Sequence, residues 1–297
     1  MMTQKKRRTD KKSSRTAGFN CMYRAASFMS SNPYYHSSDH IAPKLLPKFI
    51  LLLVKNRLVN FHWGFFPKGI YEYIIARTKY IDSLCETLIN GGMTQIAVIG
   101  AGFDSRAVRF TEKHKSLRVF ELDTIYTQTE KIAQFQKRKI AVPSNVVLIP
   151  INFNNESINE KLEEHGFVRN KNSLFILEGI IMYLDERAVS SLFTQLHELS
   201  KSGSKVVFDY IHASVLRKEN KYYGEKNIYK KVNTVKESWT FGLENGEVNE
   251  FLRKHHFTLI ENLSAEDLEK RYFTDHEGNR LARINGTHCL AYAAKSY

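Results

Sequence analysis

Between residues 95 and 209 short, mostly apolar runs alternate with longer amphipathic segments, and few architectures accept that rhythm. Gln95–Gly100, Leu117–Leu122, Asn145–Ile149, Ser173–Leu177 and Lys205–Asp209 read as strands. Asp104–Lys113, Thr124–Arg138, Glu156–His165 and Asp185–Ser200 read as the helices between them, the last with an acidic N-cap candidate in Asp185. Strands apolar on both faces and separated by helices imply a parallel α/β sheet covered on both sides. A doubly wound sheet of this kind takes its ligand at the carboxyl ends of its strands.

The flanks follow other periods. Residues 71–90 carry Tyr73, Ile74, Ile75, Tyr80, Ile81, Leu84, Cys85, Leu88 and Ile89, a helical stripe that Asn90-Gly91-Gly92 stops. Residues 17–60 also read as helices, interrupted by turn residues Ser30–Pro33. Residues 17–92 are therefore expected to form an N-terminal helical cap, ahead of a main domain over 93–297. Residues 211–245, rich in Lys, Tyr, Asn and Gly, break the alternation and are expected to be a lid inserted over the active face. Glu247–His255 is helical again, and Thr258–Ile260 and Thr287–Ala293 look like two last strands, the final one expected as an antiparallel edge.

Composition narrows the class. A chain of 297 residues with 42% hydrophobic and 25% charged residues is neither collagen-like nor a disordered polymer. The best apolar run, Phe49–Val54, falls far short of the roughly 20 residues that cross a bilayer. No signal-peptide pattern is present, and Cys21, Cys85 and Cys289 are scattered without a CxxC pair. These features lead us to expect a cytoplasmic protein without metal. The net charge of +13 is unevenly spread: residues 1–16 hold seven basic residues against Asp10 alone. We expect that segment to be a disordered, solubilising tail.

The most informative passage is Ala97-Val98-Ile99-Gly100-Ala101-Gly102-Phe103-Asp104-Ser105-Arg106. A strand ending in Gly-Ala-Gly turns tightly and lets the backbone approach a ligand. The dinucleotide fingerprint wants a third glycine three positions on, where this chain has Ser105, and Asp104 is expected to repel a diphosphate. A cationic, phosphate-free cofactor suits the loop, and S-adenosylmethionine is one. About 20 residues on, Val119-Phe120-Glu121-Leu122-Asp123 brings two carboxylates to a strand tip, either of which can take ribose hydroxyls.

Together with Ala76-Arg77-Thr78-Lys79-Tyr80-Ile81-Asp82 and Leu177-Glu178-Gly179-Ile180-Ile181-Met182-Tyr183-Leu184, these motifs resemble the leucine carboxyl methyltransferase family. The resemblance is nearest to the family's bacterial stand-alone S-adenosylmethionine-dependent O-methyltransferases. Thr16-Ala17, Arg24-Ala25 and Asp39-His40-Ile41-Ala42 look like its N-terminal helical segment, and the similarity spans roughly residues 16–210. It implies a class I, Rossmann-like methyltransferase fold with an antiparallel last strand. It also implies roles. Arg77 matches the arginine that grips the methionine carboxylate, Gly100 and Gly102 the loop beneath the cofactor, and Asp123 the ribose-binding acid. Asn152-Phe153 stands where the family usually has an aspartate followed by leucine or phenylalanine against adenine, and Glu178 matches an acid beside the methionine moiety.

A sulfonium methyl is already activated, so a carboxylate acceptor needs no general base, whereas an alcohol or phenol does. No residue is assigned as the base; Tyr183, Tyr210 and His212 are candidates to touch the acceptor. The expected reaction is transfer of methyl from S-adenosylmethionine to a small-molecule carboxylate or hydroxyl. Alternatives are methylation of RNA or of a protein C-terminal carboxylate, and a non-catalytic cofactor-binding module. Arg217–Lys231, with Tyr222, Tyr223 and Tyr229 among its basic residues, could serve RNA but suits a lid over an acidic small molecule better. Asn32-Pro33-Tyr34-Tyr35 resembles the box of amino-group methyltransferases acting on DNA, but it lies far upstream of the glycine loop.

Overall fold

Five strands whose residues are apolar on both faces cannot stand in water on either side, and the chain sandwiches them between two layers of helix. The computed structural model describes residues 14–56, 58, 66–153, 155–169, 171–228 and 238–296. Three helices come first: α1 (Arg15–Phe28), α2 (Ala42–Leu45) and α3 (Lys48–Lys55). A long α4 (Ile70–Asn90) then leads into the alternating region. That region runs β1 (Gln95–Ile99), α5 (Arg106–Lys113), β2 (Arg118–Asp123), α6 (Ile125–Lys137), β3 (Val146–Pro150), α7 (Ile158–Glu164), β4 (Ser173–Leu177), α8 (Glu186–Leu199) and β5 (Lys205–Ile211). The chain closes with α9 (Ala213–Leu216), α10 (Val248–Lys254), β6 (Phe257–Leu263), α11 (Ala265–Tyr272) and β7 (His288–Lys295).

The seven strands form one sheet in the order β3-β2-β1-β4-β5-β7-β6, with β1 to β5 parallel. The last strand is antiparallel as expected, but it is not an edge. It inserts between β5 and β6, pairing antiparallel with both, and β6 takes the edge. The internal position suits its sequence, since Cys289, Leu290, Ala291 and Ala293 are all buried.

Side-chain alternation along each strand divides the interior in two. Ile96, Val98, Val119, Leu174, Ile176 and Val207 pack in one core with residues of α1, α2, α4 and α5, so the N-terminal helices share a core with the sheet. Ala97, Ile99, Phe120, Leu122, Phe175, Leu177, Val206 and Phe208 face the other core, with α8 and α10. Local signals set the helix starts: Asp185 accepts from the Ala188 N–H at 2.9 Å, and Ser264 with Asp267 forms a capping box on α11. The stretch containing α11 carries that Ser-x-x-Asp signature, which our reading of the sequence passed over.

Residues 1–13, Tyr229, Lys230 and Lys231 fall outside the described residues, so most of the expected basic tail and part of the 217–231 patch do too; the tail does not reach residue 16, because Ser14 caps α1 and Arg15 and Thr16 stand in its first turn. The described ends of the 211–245 segment are strapped to the strand tips. The Ala213 N–H donates to the Leu243 carbonyl at 2.8 Å, and the Thr240 N–H to the Met182 carbonyl at 2.8 Å.

Candidate active site

The glycine loop follows β1 with both glycines left-handed, Gly100 at φ 70° and Gly102 at φ 54°. This is a backbone region that side-chain-bearing residues avoid. A Cβ on Gly100 would lie 2.5 Å from the Ile180 side chain, and one on Gly102 would lie 3.0 Å from the Ala17 Cβ. The first turn of α1 therefore lies directly over the loop. At the tip of β2, Asp123 accepts from the Gly102 N–H at 2.6 Å and from the Thr124 N–H at 2.6 Å. Burial nevertheless raises its carboxyl above the usual value, these hydrogen bonds only partly offsetting the desolvation.

Spacing left Glu121 and Asp123 equivalent; packing separates them. Glu121 is fully buried and takes the Lys131 ammonium of α6 at 2.5 Å, while burial pushes its carboxyl up to about 7. Asp123 is the acid that faces the glycine loop. Asp104 is a correction. Rather than confronting a ligand as a free charge, it is 5% exposed and accepts from the Arg106 guanidinium and backbone N–H at 2.6 and 2.7 Å. That contact holds its carboxyl well below the usual range despite burial.

Asp104 belongs to a chain of buried charges that crosses the face of the sheet beneath α1. Arg24 donates to Asp39 at 2.9 Å, and Asp39 accepts from Ser105 at 2.6 Å. Arg109 lies 3.5 Å from Asp39 and donates to Asp82 at 2.8 Å. Arg106 joins Asp82, Asp104 and Glu178, each at 2.6 Å. Arg77, in the middle of α4, donates through Nη2 to Glu178 at 2.8 Å and through Nη1 to Asp209 of β5 at 2.5 Å. Tyr73, one turn earlier, donates to the same oxygen of Asp209 at 3.1 Å, and the Gly179 N–H donates to its other oxygen at 2.6 Å. The guanidiniums hold the carboxyls of Asp39 and Glu178 below their ordinary values against the cost of burial. Glu178 and Asp209 in turn raise Arg77 against the cost of its burial. Glu178 is thus a bridge between two arginines and caps no helix.

Beside Arg77 opens a cavity of about 660 Å³, well within the size range of small-molecule sites. The first turn of α1, the end of α2, Pro47 and Ile50, and Ile70, Tyr73, Ile74 and Arg77 of α4 form one side. Phe103, Gly179, Met182, Tyr183, Ile228, Trp239 and His288 line the other. Of the residues expected at the site, Arg77 and Tyr183 border this space directly. Gly100, Gly102, Asp123 and Glu178 cluster at the neighbouring strand tips. Asn152 and Phe153 follow β3 beside them: the Ile151 N–H donates to the Asp123 carbonyl at 2.9 Å, and the Asn152 N–H to Glu156 at 2.6 Å.

Tyr210 and His212 are not brought to the cavity. Alternation on β5 points Asp209 toward α4 and Tyr210 into the opposite core, where its hydroxyl meets Asn262 at 3.1 Å. His212 stacks on Tyr222 with ring centroids 4.2 Å apart and lies 3.4 Å from the Cys289 sulfur. The cavity wall holds His288 instead, clamped between Tyr73 at 4.6 Å and Trp239 at 5.3 Å. Asp209 and His288 were missed because nothing near them in sequence marks them. Only the strand pairing Ile211–His288 brings β7 to the ends of the parallel strands.

These residues fit S-adenosylmethionine. The loop is left-handed, a carboxylate stands at the tip of β2, and Arg77 borders the cavity with its Nε unpartnered among the described residues. The linked charges comprise Arg24, Arg77, Arg106 and Arg109 against Asp39, Asp82, Asp104, Glu178 and Asp209. That leaves one carboxylate in excess, which favours a ligand carrying net positive charge.

Comparison with known proteins agrees. The leucine carboxyl methyltransferase family model matches residues 55–197. The Bacillus subtilis protein named "Putative S-adenosyl-L-methionine-dependent methyltransferase YktD" is 24% identical over 208 residues, 70% of this chain and 68% of that one. A Streptomyces coelicolor protein with the same description is 30% identical over 133 residues, 45% of this chain and 46% of its own, so this chain spans just under half of that relative. In structure, a protein from Thermobifida fusca described as a "putative methyltransferase" superposes with a TM-score of 0.60 at 12% identity, covering 95% of this chain and 98% of that one. Residues 55–197 match the leucine carboxyl methyltransferase family model, the sheet is that of class I methyltransferases, and the chain is an S-adenosylmethionine-dependent methyltransferase.

Proposed function

We propose that the chain methylates an oxygen, carboxylate or hydroxyl, of a small molecule held in the cavity beside Arg77. The observation that carries this reading is the cavity itself. It is large enough for a small organic molecule, roofed by α1 to α3, and bordered by Arg77 and Gly179 at the strand tips. A cavity of this size suits a small acceptor better than a folded RNA. In this reading residues 17–92 act as a cap, 211–245 as a lid, and the acceptor lies between them.

Each residue then has a physical task. Arg77 offers a guanidinium fork, locked in orientation by Glu178 and Asp209, to the methionine carboxylate. Gly100 and Gly102 let the backbone pass close beneath the nucleoside, Asp123 takes the ribose hydroxyls, and Asn152 with Phe153 borders adenine. Asn152 keeps an amide oxygen that can accept from an exocyclic amine. Glu178 supplies negative charge next to the methionine end. When bound, S-adenosylmethionine provides a methyl group on a positively charged sulfur, already activated for attack. The protein's share is to hold the acceptor oxygen in line and to exclude water, and positioning of that kind is worth several kcal/mol of the barrier.

Isothermal calorimetry with S-adenosylhomocysteine tests the cofactor half. Wild-type protein should bind it, and Asp123→Ala should bind at least about tenfold more weakly. Absence of binding at high micromolar ligand, or equal affinity in Asp123→Ala, refutes the assignment.

A further inference from the structure

We propose that His288 is the residue that receives the acceptor, and that the acceptor is a hydroxyl carried on an apolar body rather than a carboxylate. This rests on the small-molecule O-methyltransferase reading above and goes further by choosing between its two substrate chemistries.

The argument begins with the direction of a hydrogen-bond chain behind the imidazole. The Asn285 Nδ2 donates to the Lys68 carbonyl at 2.9 Å, and a carbonyl can only accept, so the amide's orientation is set. Its Oδ1 therefore faces the Thr287 N–H at 3.2 Å and the Thr287 hydroxyl at 2.5 Å, and accepts from both. Thr287 has one hydroxyl proton and gives it to Asn285. Toward His288 Nδ1, 2.8 Å away, the same oxygen can then only accept. Nδ1 must carry the proton, and the tautomer assigned in this way leaves Nε2 with a bare lone pair.

Three further observations point that lone pair at the substrate. His288 lines the cavity, its ring is fixed by Tyr73 on one side and Trp239 on the other, and no described residue hydrogen-bonds its Nε2. Burial and the nearby Arg77 charge lower its pKa to about 3, so the ring stays neutral. A neutral imidazole presenting a lone pair welcomes an O–H and repels a carboxylate. Arg77 does not reverse the preference, because with the methyl donor bound its guanidinium is shared among Glu178, Asp209 and the methionine carboxylate of the reading above. The rest of the wall, including Leu45, Leu46, Ile50, Phe66, Ile70 and Ile74, calls for hydrocarbon.

In the transfer, the hydroxyl oxygen forms its bond to the methyl carbon and the sulfur keeps the electron pair of the broken carbon–sulfur bond. The hydroxyl proton, made strongly acidic as the oxygen takes the methyl, then passes to His288 Nε2, and the imidazolium, disfavoured by burial and by Arg77, hands it on to solvent. The positive charge lost at sulfur reappears on the imidazole, so the pocket's net charge is unchanged during the step.

The test compares two probes of matching shape, 4-octylphenol and 4-octylbenzoate, binding to the full-length protein loaded with S-adenosylhomocysteine near neutral pH. The phenol is then un-ionised and the benzoate anionic. The wild type should prefer the phenol by about tenfold. His288→Phe, which keeps the ring volume but loses Nε2, should show no preference, and His288→Gln, whose amide oxygen can accept, should regain part of it. Equal or tighter binding of the benzoate, an unchanged preference in His288→Phe, or no binding of either probe overturns the proposal. S-adenosylhomocysteine affinity is read in the same titrations. Its absence in the wild type defeats the methyl-donor reading instead, and its absence only in His288→Phe reports misfolding and passes the decision to His288→Gln.

Discussion

Asp209→Asn is the sharpest probe of the charge network because the substitution preserves shape and removes only the ability to accept twice. Asp209 is completely buried. All three of its partners are donors: Gly179 N–H on one oxygen, and Arg77 Nη1 and the Tyr73 hydroxyl on the other. An asparagine has a single acceptor oxygen. If that oxygen stays with Gly179, an NH2 group faces a guanidinium that cannot accept; if the amide flips, it faces the Gly179 N–H. The tyrosine can rotate its hydroxyl to accept, but Arg77 cannot adapt, and it is left with Glu178 alone. Removing one partner from a buried ion pair costs about 3–5 kcal/mol. For a chain of this length that corresponds to a fall in Tm of roughly 5–8 °C. Thermal denaturation measures it, with S-adenosylhomocysteine titration alongside, where the loosened Arg77 should lower affinity by about tenfold. A Tm within about 2 °C of wild type would refute the claim that Asp209 holds Arg77 through its charge.

Gly100→Ala should destabilise by about 1–3 kcal/mol, combining a left-handed backbone cost with the collision against Ile180. Adding Ile180→Val, which removes the nearest atom, should recover the steric part alone, and full recovery in chemical denaturation would show that the positive φ carries no cost. Replacing the buried Glu121–Lys131 pair by Leu and Met together should be neutral or stabilising, whereas Glu121→Ala alone should cost about 3–5 kcal/mol; a double-mutant cycle without coupling would refute this. Between about pH 4.5 and 7 two buried groups pull stability in opposite directions, Glu121 and His288, the latter lowered from 6.5 to about 3 and losing stability as pH falls below its ordinary value. Glu121, raised in the native state to about 7 from an ordinary 4.5, adds stability as pH falls across that interval. The depressed Asp39, Asp104 and Glu178 hold their contribution above their ordinary values and lose it as pH falls through their native ones. Urea midpoints should therefore collapse below about pH 4, and the midpoint advantage of wild type over Glu121→Gln should grow as pH falls from 8 to about 5; a pH-independent difference would refute the Glu121 assignment.

The parallel half of the sheet was legible because each strand is apolar on both faces and each connection has helical length. Starts and stops moved by only a residue or two, as Gln95–Ile99 against the expected Gln95–Gly100 illustrates. The antiparallel half was less so. Thr258–Ile260 grew to Phe257–Leu263 and surrendered nothing to β7, which took the interior place that its run of small and apolar residues, Cys289 to Ala294, allows. At the site, the glycine loop and Asp123 are local in sequence and were readable; Tyr210 and Asp209 were exchanged. Which of two neighbours on a strand faces the ligand depends on strand register and on what α4 presents. Tyr73 and Arg77, one turn apart on that helix, both require an acceptor, and Asp209 satisfies them.

The same reasoning explains why so costly an array of buried charge is concentrated here. Its arginines and carboxylates come from α1, α4, α5, the loop before α2, and the ends of β4 and β5, so no single element contains a satisfied pair of its own apart from Asp104 with Arg106. Each element is charged and unpaired until the others dock, and an unpaired buried charge is prohibitive. Docking of the N-terminal helices against the sheet is therefore specified by electrostatic matching as well as by apolar burial. The geometry it specifies holds Arg77 from two sides beside the cavity and sets Ala17 over Gly102. A purely apolar interface between α4 and the strand ends would tolerate small rotations of the helix. Carboxylates at fixed distances on both sides of one guanidinium do not, and in the proposed reaction it is that intolerance that would keep the acceptor aligned with the transferring methyl.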